Sequence, residues 1–147
     1  MKKKIHIRQK DATDCGAACL ASVAAWYRLR IPVTQIRQYA GTDRRGTTVS
    51  GLIEAAARMG LLAKGVKAVP ESLDQIPLPA IAHMKLGNGL HHYVVICKAS
   101  AGLVWVMDPA YGKVRKEKLE VFIRQWTGVL VLLLPDTSFR PGNAIVP

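Results

Sequence analysis

Hydrophobic positions in the first third of the chain recur at helical spacing. Asp14 is placed to cap a helix that runs to about Arg30. Its apolar residues form one stripe made of Leu20, Val23 and Tyr27. The first element is therefore predicted to be an amphipathic helix with one buried face.

Two shorter helices are predicted next. Thr34 can cap the first of them, and Gly41 ends it because glycine accepts the left-handed backbone of a helix C-terminus. Thr48 or Ser50 can cap the second, which runs to Met59.

From residue 61 the pattern changes to short alternating or β-branched runs separated by turn residues. The runs are LLAKGVKAV, AIAHMKL, LHHYVVICK, LVWVMD and GVLVLLLP. The middle three runs are typical of an antiparallel meander, and the last is predicted to be a buried strand. Between the fourth and fifth runs, KEKLEVFIRQW (residues 116–126) predicts a short amphipathic helix.

Helices therefore precede strands without βαβ alternation, which indicates an α+β fold with a helical lobe followed by an antiparallel sheet lobe. We expect one domain over residues 1–135. Residues 136–147, with two prolines and a glycine, are predicted to be a linker or a frayed terminus.

Composition limits the protein class. Half of the 147 residues are apolar, which indicates a globular chain with a real core. The longest apolar run, VLVLLL, is far shorter than the ~20 residues of a membrane-spanning helix. The basic start, MKKKIHIR, lacks the apolar segment of a secretory signal. With an odd count of three cysteines, these features predict a soluble domain on the cytoplasmic side with reduced thiols.

The formal net charge of +11 changes this picture little. Five of the 21 basic residues lie in the first ten positions, and the others are scattered. Binding to nucleic acid or to an anionic membrane surface is one interpretation. A solvated basic surface is the interpretation we favour, because no nucleic-acid motif accompanies the charge.

The stretch DCGAAC holds the first candidate for chemistry. Cys15 falls in the first turn of the predicted helix, where unpaired N–H groups favour an anionic thiolate. Gly16 is expected to keep the approach open. Cys19, one turn later, fits a buried structural cysteine.

A nucleophilic cysteine needs a base and a group that orients the base. His92 shares a strand face with Val94 and Ile96, so it is either a base in a dry region or a core histidine. Asp108 ends the next strand, where it can hold the imidazole or simply form an Asp-Pro turn. Gln9 is a weak candidate for an oxyanion-hole amide.

Metal and redox sites compete with this interpretation. Cys15, Cys19 and the pair His91–His92 supply the ligand types of a Cys₂His₂ zinc site, but adjacent strand residues point to opposite faces. A thioredoxin-like pair needs Cys-x-x-Cys beside a βαβ unit, and the sequence has neither. We therefore expect no metal and no cofactor.

The chain resembles the bacteriocin-processing cysteine peptidases, the papain-like N-terminal domains of peptidase-containing ABC transporters. The resemblance spans about residues 7–135 and rests on RQKDATDCGAACLASVAAWY, GTTVSGLIEAAARMG, HHYVVI, VMDPAYGKV and FIRQWTGVLVLL. It implies Cys15 as nucleophile, His92 as general base and then acid, Asp108 as the orienting residue and Gln9 in the oxyanion hole. His91 receives no role. Binding-only relatives lack the catalytic cysteine, so the presence of Cys15 implies activity.

The resemblance also implies the substrate. A precursor peptide of the bacteriocin or lanthipeptide type would dock its leader as a helix in a hydrophobic groove and be cut after a Gly-Gly or Gly-Ala pair. Candidate groove residues are Leu52, Ala56, Met59, Leu62 and Val66, each of which also fits the core.

The implied partners are the transmembrane and ATP-binding parts of the same transporter, at the cytoplasmic face of the inner membrane. A peptidase portion of a longer transporter is favoured over a free-standing protease, because the chain ends in linker-like residues. A non-catalytic leader-binding module and a nucleic-acid-binding domain are the alternatives.

Overall fold

The structure, a computed structural model, describes residues 12–143 of the chain. Its helices are α1 (Cys15–Trp26), α2 (Val33–Ala40), α3 (Val49–Arg58) and the single turn α4 (Leu119–Phe122), with 3-10 turns at Ala12–Asp14 and Pro70–Ser72. Its strands are β1 (Leu29–Arg30), β2 (Leu61–Lys67), β3 (Ala80–Lys85), β4 (His91–Ser100), β5 (Leu103–Asp108), β6 (Lys113–Lys118), β7 (Trp126–Pro135) and β8 (Gly142–Asn143). The three longer helices precede the main sheet, so the predicted α+β order is confirmed.

The ends of α2 and α3 follow local chemistry. Gly41 ends α2 in the left-handed conformation with φ +65°, and Thr48 caps α3 by accepting a hydrogen bond from the Gly51 N–H at 2.9 Å. Both predictions are confirmed. Thr34 as a cap is wrong, because α2 begins at Val33 and Pro32 occupies the capping position.

The first helix is shorter than predicted. It ends at Trp26 instead of Arg30, since Arg28 takes a left-handed backbone with φ +68°. The chain then extends into β1, which pairs in parallel with β8. Phe139, in the tail, packs edge-to-face on Tyr27 with ring centroids 6.3 Å apart. Residues 136–143 therefore fold against the helical lobe, while the domain boundary at residue 135 stays a prediction.

The main sheet has six antiparallel strands in the order β2-β7-β3-β4-β5-β6. Strands β3, β4 and β5 form the predicted meander, which β6 extends by one strand, and β7 returns to lie between β2 and β3. One face packs on α1, α2 and α3 and forms the larger hydrophobic core. The opposite face is covered in part by α4 and by the segment around Leu73 and forms a second core.

The predicted helix over residues 116–126 is wrong for most of its length. Strand β6 pairs with β5 from Lys113 to Lys118, only α4 is helical, and Trp126 already belongs to β7. The β6 side chains are mainly charged, which suits the edge of a sheet, where lysine discourages pairing with another chain. Pairing with β5 therefore overrides a local pattern that also fits a helix.

Among residues 12–143, no helix has the length and apolar character needed to cross a bilayer.

Candidate active site

Cys15 is the first residue of α1, and its side chain is buried, with the residue only 6% exposed. Asp14 occupies the predicted capping position, but within the described residues its side chain makes no capping hydrogen bond. Cys15 follows the 3-10 turn Ala12–Asp14 and lies at the N-terminal end of α1. The positive end of the helix dipole favours negative charge on a group bound beside this end.

Cys19 lies one turn along α1 and is completely buried. Burial raises the pKa of the Cys19 thiol well above its usual value, and the nearby Cys15, Asp108 and Cys97 raise it further. A thiol held in its neutral form is a poor nucleophile. The two cysteines of DCGAAC are therefore different in character: Cys15 lies at the helix start and Cys19 belongs to the core.

His92 and Asp108 meet across the β4–β5 hairpin. His92 is the second residue of β4 and shares its sheet face with Val94 and Ile96, while Asp108 is the last residue of β5. His92 Nε2 lies 2.8 Å from Asp108 Oδ1. The same oxygen accepts a hydrogen bond from the Ala110 N–H at 2.9 Å, which fixes the carboxylate in the turn after β5.

The positive charge of His92 and the negative charge of Asp108 stabilise each other and shift the pKa values of both groups. Burial lowers the pKa of His92, but hydrogen bonds to the Asp108 and Cys15 side chains and electrostatic interactions with both residues raise it to about 9. Burial opposes ionisation of Asp108, yet the hydrogen bonds from His92 and Ala110 and the charges of His92 and Arg115 hold the pKa of its carboxyl below the usual value. Since Asp108 engages Nε2, Nδ1 is the ring nitrogen left for Cys15. At neutral pH the His92 ring is therefore an imidazolium that bonds the Asp108 carboxylate and contacts Cys15.

Gly16 has a packing role that the sequence did not reveal. A Cβ at this position would lie 3.1 Å from Thr47 Cβ and 3.2 Å from Tyr93 Cδ2. The Tyr93 hydroxyl donates a hydrogen bond to the Thr47 carbonyl at 2.8 Å. Gly16 therefore lets the segment before α3 and the strand β4 close on the start of α1, and the expectation that it keeps the approach to Cys15 open is not what the packing indicates.

A cavity of about 280 Å³ opens on the sheet face that carries His92 and Asp108. Its apolar lining comes from Met84, Leu86, Val94, Val106, Val121 and Phe122. Its polar lining comes from Arg115, Glu117, Arg124 and Gln125. The cavity has room for a few residues of a bound peptide beside the His92–Asp108 pair.

The predicted groove residues divide into two groups. Leu52 and Ala56 are completely buried and Met59 is 6% exposed, so these three belong to the core and the groove prediction is wrong for them. Leu62 is 65% exposed, and Val66 is half-buried on the same face of β2.

Two residues of β7 complete this face and were missed. The register pairs Leu62 with Leu134 and Lys64 with Leu132, so both leucines lie on the outer face beside Leu62 and Val66. We call Leu62, Val66, Leu132 and Leu134 the outer apolar strip. The alternation within GVLVLLLP would have indicated it if this run had been interpreted as a two-faced strand instead of a buried one.

Gln9 lies outside the described residues. The zinc alternative finds little support in the geometry, because His91 and His92 have different neighbours: His91 Nδ1 is 3.0 Å from His83 Nε2, whereas His92 bonds Asp108. Within residues 12–143, no three side chains of His, Cys, Asp or Glu are grouped as a metal site would require.

Comparison with known proteins places these features in context. A family model described as the peptidase C39 family matches residues 3–138. The lactococcin-G-processing and transport ATP-binding protein LagD of Lactococcus lactis subsp. lactis is 38% identical over 144 residues, which cover 97% of this chain and 20% of that protein. The pediocin PA-1 transport/processing ATP-binding protein PedD of Pediococcus acidilactici is 33% identical over 141 residues, 94% of this chain and 20% of that protein. The chain thus spans about a fifth of the length of these curated relatives.

Two solved structures are similar over most of the chain. The peptidase domain of Streptococcus ComA, a bi-functional ABC transporter involved in a quorum sensing pathway, aligns with a TM-score of 0.83 at 33% identity and covers 88% of this chain and 97% of that one. A double glycine motif protease from an AMS/PCAT transporter, solved in complex with the leader peptide, aligns with a TM-score of 0.79 at 35% identity and covers 88% of this chain and 89% of that one.

Proposed function

The chain belongs to the peptidase C39 family, and on that basis we propose that it is a cysteine endopeptidase that removes the leader of a ribosomally made precursor peptide by cutting after a Gly-Gly or Gly-Ala pair. The observation that carries the proposal is the hydrogen-bonded His92–Asp108 pair in contact with Cys15 at the start of α1. The papain-like α+β fold of solved relatives supports the same conclusion. The cargo is proposed to be of the bacteriocin or lanthipeptide type.

Each side chain has one proposed role. The Cys15 sulfur, as a thiolate paired with the His92 imidazolium, forms a bond to the carbonyl carbon of the second small residue. His92 then donates its proton to the leaving amine as the C–N bond breaks, which leaves the leader as a thioester on Cys15. Neutral His92 next takes a proton from water, which attacks the thioester and releases the leader with a free carboxylate. Asp108 holds the ring by Nε2 throughout and stabilises its positive charge.

The oxyanion of each tetrahedral intermediate needs donors. The backbone N–H of Cys15, at the start of α1, is proposed as one of them. The side-chain amide of Gln9 is proposed as the other. The chemistry requires only these groups and water, so the proposal includes no cofactor or metal.

Specificity for small residues follows from the limited access to Cys15. Its residue is 6% exposed, and Thr47 and Tyr93 close on Gly16 directly beside it. We propose that a peptide carbonyl reaches the buried sulfur through a narrow opening that glycine and alanine pass and a branched side chain does not. This is specificity by exclusion.

The outer apolar strip is the proposed docking surface for the leader. It lies on the same sheet face as His92, since Val66 and Leu132 pack on the core that contains Val94 and Ile96. An amphipathic leader helix would cover its exposed leucines, of which Leu62 and Leu134 are 65% and 46% exposed. The occupant follows from the solved relative that was crystallised with its leader peptide.

The proposed setting is a larger transporter. The curated relatives are transport ATP-binding proteins about five times the length of the matched region. We place this domain at the cytoplasmic face of the bacterial inner membrane, with the transmembrane and ATP-binding parts of the same exporter as partners.

Incubation with synthetic precursors tests the function. Peptides that share one helical leader and differ only at the junction, as Gly-Gly, Gly-Ala or Val-Val, are incubated with the purified chain and analysed by mass spectrometry. We expect two product masses for the first two peptides and none for Val-Val, with no effect of EDTA.

Two cysteine variants complete this assay. Cys15→Ala should fold and lose cleavage, while Cys19→Ala should still cut, because the core thiol takes no part in the chemistry. Binding of the leader without any turnover would contradict the peptidase and support the non-catalytic leader-binding module. Cleavage by Cys15→Ala would contradict the assigned nucleophile.

A further inference from the structure

The cavity of about 280 Å³ beside the His92–Asp108 pair has no assigned occupant in the mechanism above. Its lining includes both His92 and Asp108. Within the described residues, the lining includes neither Cys15 nor Gly16. The cavity therefore adjoins the proton donor of the site and not its nucleophile.

The two sides of the bond to be cut have different surroundings. The leader stays on Cys15 as a thioester, whereas the first cargo residue receives the proton of His92 on its amine and must lie against that ring. Space at Cys15 is tight, because Thr47 and Tyr93 close on the neighbouring Gly16. Tight surroundings suit the two small residues of the leader, and the cavity at His92 has room for larger side chains. Its position therefore fits the residues that follow the cut.

The cavity and the proposed leader surface are separate. The outer apolar strip lies on β2 and β7. The cavity is formed by residues of β4, β5 and β6, by the C-terminal part of β3 and by α4 and the residues around it. Because the two sites share no residue, the leader helix and the start of the cargo can be bound at the same time.

Charged side chains give the cavity an excess of positive charge. Its lining carries Arg115 and Arg124 and, besides Asp108, one carboxylate, that of Glu117. Arg115 Nε lies 3.9 Å from Glu117 Oε2, so these two charges offset each other. Arg124 is exposed and makes no ion pair within residues 12–143. Since Asp108 is paired with His92, the unbalanced positive charge is that of Arg124.

We propose that this cavity binds the first residues of the cargo after the cut, and that Arg124 selects an acidic side chain among the first three of them. The proposal rests on the proposed function, since it requires that His92 faces the leaving amine. The buried residues Val94, Val106 and Phe122 in the lining accommodate a neighbouring apolar side chain. The preferred substrate is therefore a precursor whose cargo begins with an apolar and an acidic residue.

The experiment compares kcat/KM for precursor peptides that share one leader and one Gly-Gly junction and carry either Asp or Lys at the first, second or third cargo position. At the most sensitive position we expect the parent protein to cut the Asp peptide about fivefold faster than the Lys peptide, the scale of an ion pair at a partly exposed site. The preference should shrink at about 0.5 M salt, because dissolved ions screen such a pair.

Reversal of one charge supplies the decisive variant. Arg124→Glu should invert the preference, so that the Lys peptide is cut faster than the Asp peptide, which a merely structural role of Arg124 would not produce. Arg58→Glu makes the same charge change on α3 and is the matched control, with an unchanged preference. Arg115 is kept in all variants, because its charge also helps to hold the pKa of Asp108 below the usual value.

Equal rates for the Asp and Lys peptides at all three positions, or a preference that Arg124→Glu leaves unchanged, would overturn the proposal. A charge preference that Arg124→Glu inverts at the positions before the Gly-Gly pair would also overturn it, because the leader would then occupy the cavity. If circular dichroism shows that Arg124→Glu is unfolded, Arg124→Gln decides, because it must bring the two rates together.

Binding separates this proposal from the proposed function. Fluorescence anisotropy with labelled precursors measures the affinity of Cys15→Ala and of Cys15→Ala/Arg124→Glu without turnover. A preference for the Asp precursor that the second variant inverts, in a protein whose parent cuts no peptide, would support the cavity as the site for the segment after the junction and reject the peptidase. Cleavage of the Asp and Lys peptides at equal rates would reject the cavity and support the peptidase.

Discussion

Replacing Asp108 by asparagine removes the negative charge at His92 and leaves the geometry in place. The amide oxygen introduced by Asp108→Asn can still accept the hydrogen bonds that Oδ1 accepts from His92 Nε2 at 2.8 Å and from the Ala110 N–H at 2.9 Å. The His92 ring therefore keeps its orientation, and only its charge stabilisation changes.

The magnitude follows from the difference between charged and neutral hydrogen bonds. A bond to a charged partner contributes about 1.5–3 kcal/mol and a neutral one about 0.5–1.5 kcal/mol, so the imidazolium loses about 1–1.5 kcal/mol. Since one pKa unit corresponds to about 1.4 kcal/mol, the pKa of His92 should fall by about one unit from its value near 9. His92 must be protonated to donate to the leaving amine, so activity is lost as the pH rises through this pKa. The alkaline limb of kcat/KM should move from about pH 9 to about pH 8.

The assay is the pH profile of kcat/KM between about pH 6 and 10 on a fluorogenic peptide with a Gly-Gly junction, since this parameter reports the free enzyme. Glu54→Gln removes an exposed carboxylate from α3 and serves as the control, with an unchanged limb. An alkaline limb that stays near pH 9 in Asp108→Asn, or moves upward, would refute the assignment of His92 as the proton donor stabilised by Asp108.

Two further substitutions test the packing around the nucleophile and the docking surface. Gly16→Val should lower the free energy of unfolding by about 1–3 kcal/mol in urea denaturation, because its Cβ would lie 3.1 Å from Thr47 Cβ. Gly87→Val, where a Cβ meets nothing within 4 Å, should change it by less than about 0.5 kcal/mol, and equal losses in both would contradict the packing argument. Leu62→Glu should raise KM for a leader-containing peptide about tenfold with little change in kcat, since it places a charge on an apolar docking surface. Val69→Glu, equally exposed but outside the strip, should leave KM unchanged, and an unchanged KM in Leu62→Glu would argue against the strip as the leader site.

The sequence correctly predicted those helices and strands whose ends are set by residues close by in the chain. Gly41 and Thr48 act at helix ends through their own backbone and side-chain chemistry, and the run LVWVMD is β5 from its first residue to its last. The helical and sheet lobes follow from the change of hydrophobic period near residue 61.

Long-range pairing accounts for what the sequence did not predict. Strand β7 lies between β2 and β3, so its outer face, with Leu132 and Leu134, depends on partners about 70 residues away. Strand β6 exists because β5 offers it a hydrogen-bonding edge, which no local pattern encodes. The contact of Arg37 with Asp14 likewise joins two helices and cannot be derived from spacing.

For the candidate site, the sequence predicted the arrangement of the polar residues but not the exposure of the groove residues. The chemistry of a helix start distinguished Cys15 from Cys19, and the hairpin between β4 and β5 placed Asp108 near His92. The sequence could not fix which groove candidates are exposed, because Leu52 and Leu62 have the same apolar character and only packing separates a buried leucine from one that is 65% exposed.

Covalent labelling tests the central claim most directly, namely that Cys15 is the nucleophile of a site for small-residue junctions. A leader peptide that ends in a Gly-Gly chloromethyl ketone is incubated with the protein beside a matched reagent that ends in Val-Val, and the modified residue is mapped by mass spectrometry. We predict one leader adduct per chain, on Cys15, with the Gly-Gly reagent alone. A label on Cys19 or Cys97, equal labelling by both reagents, or no adduct would contradict the claim.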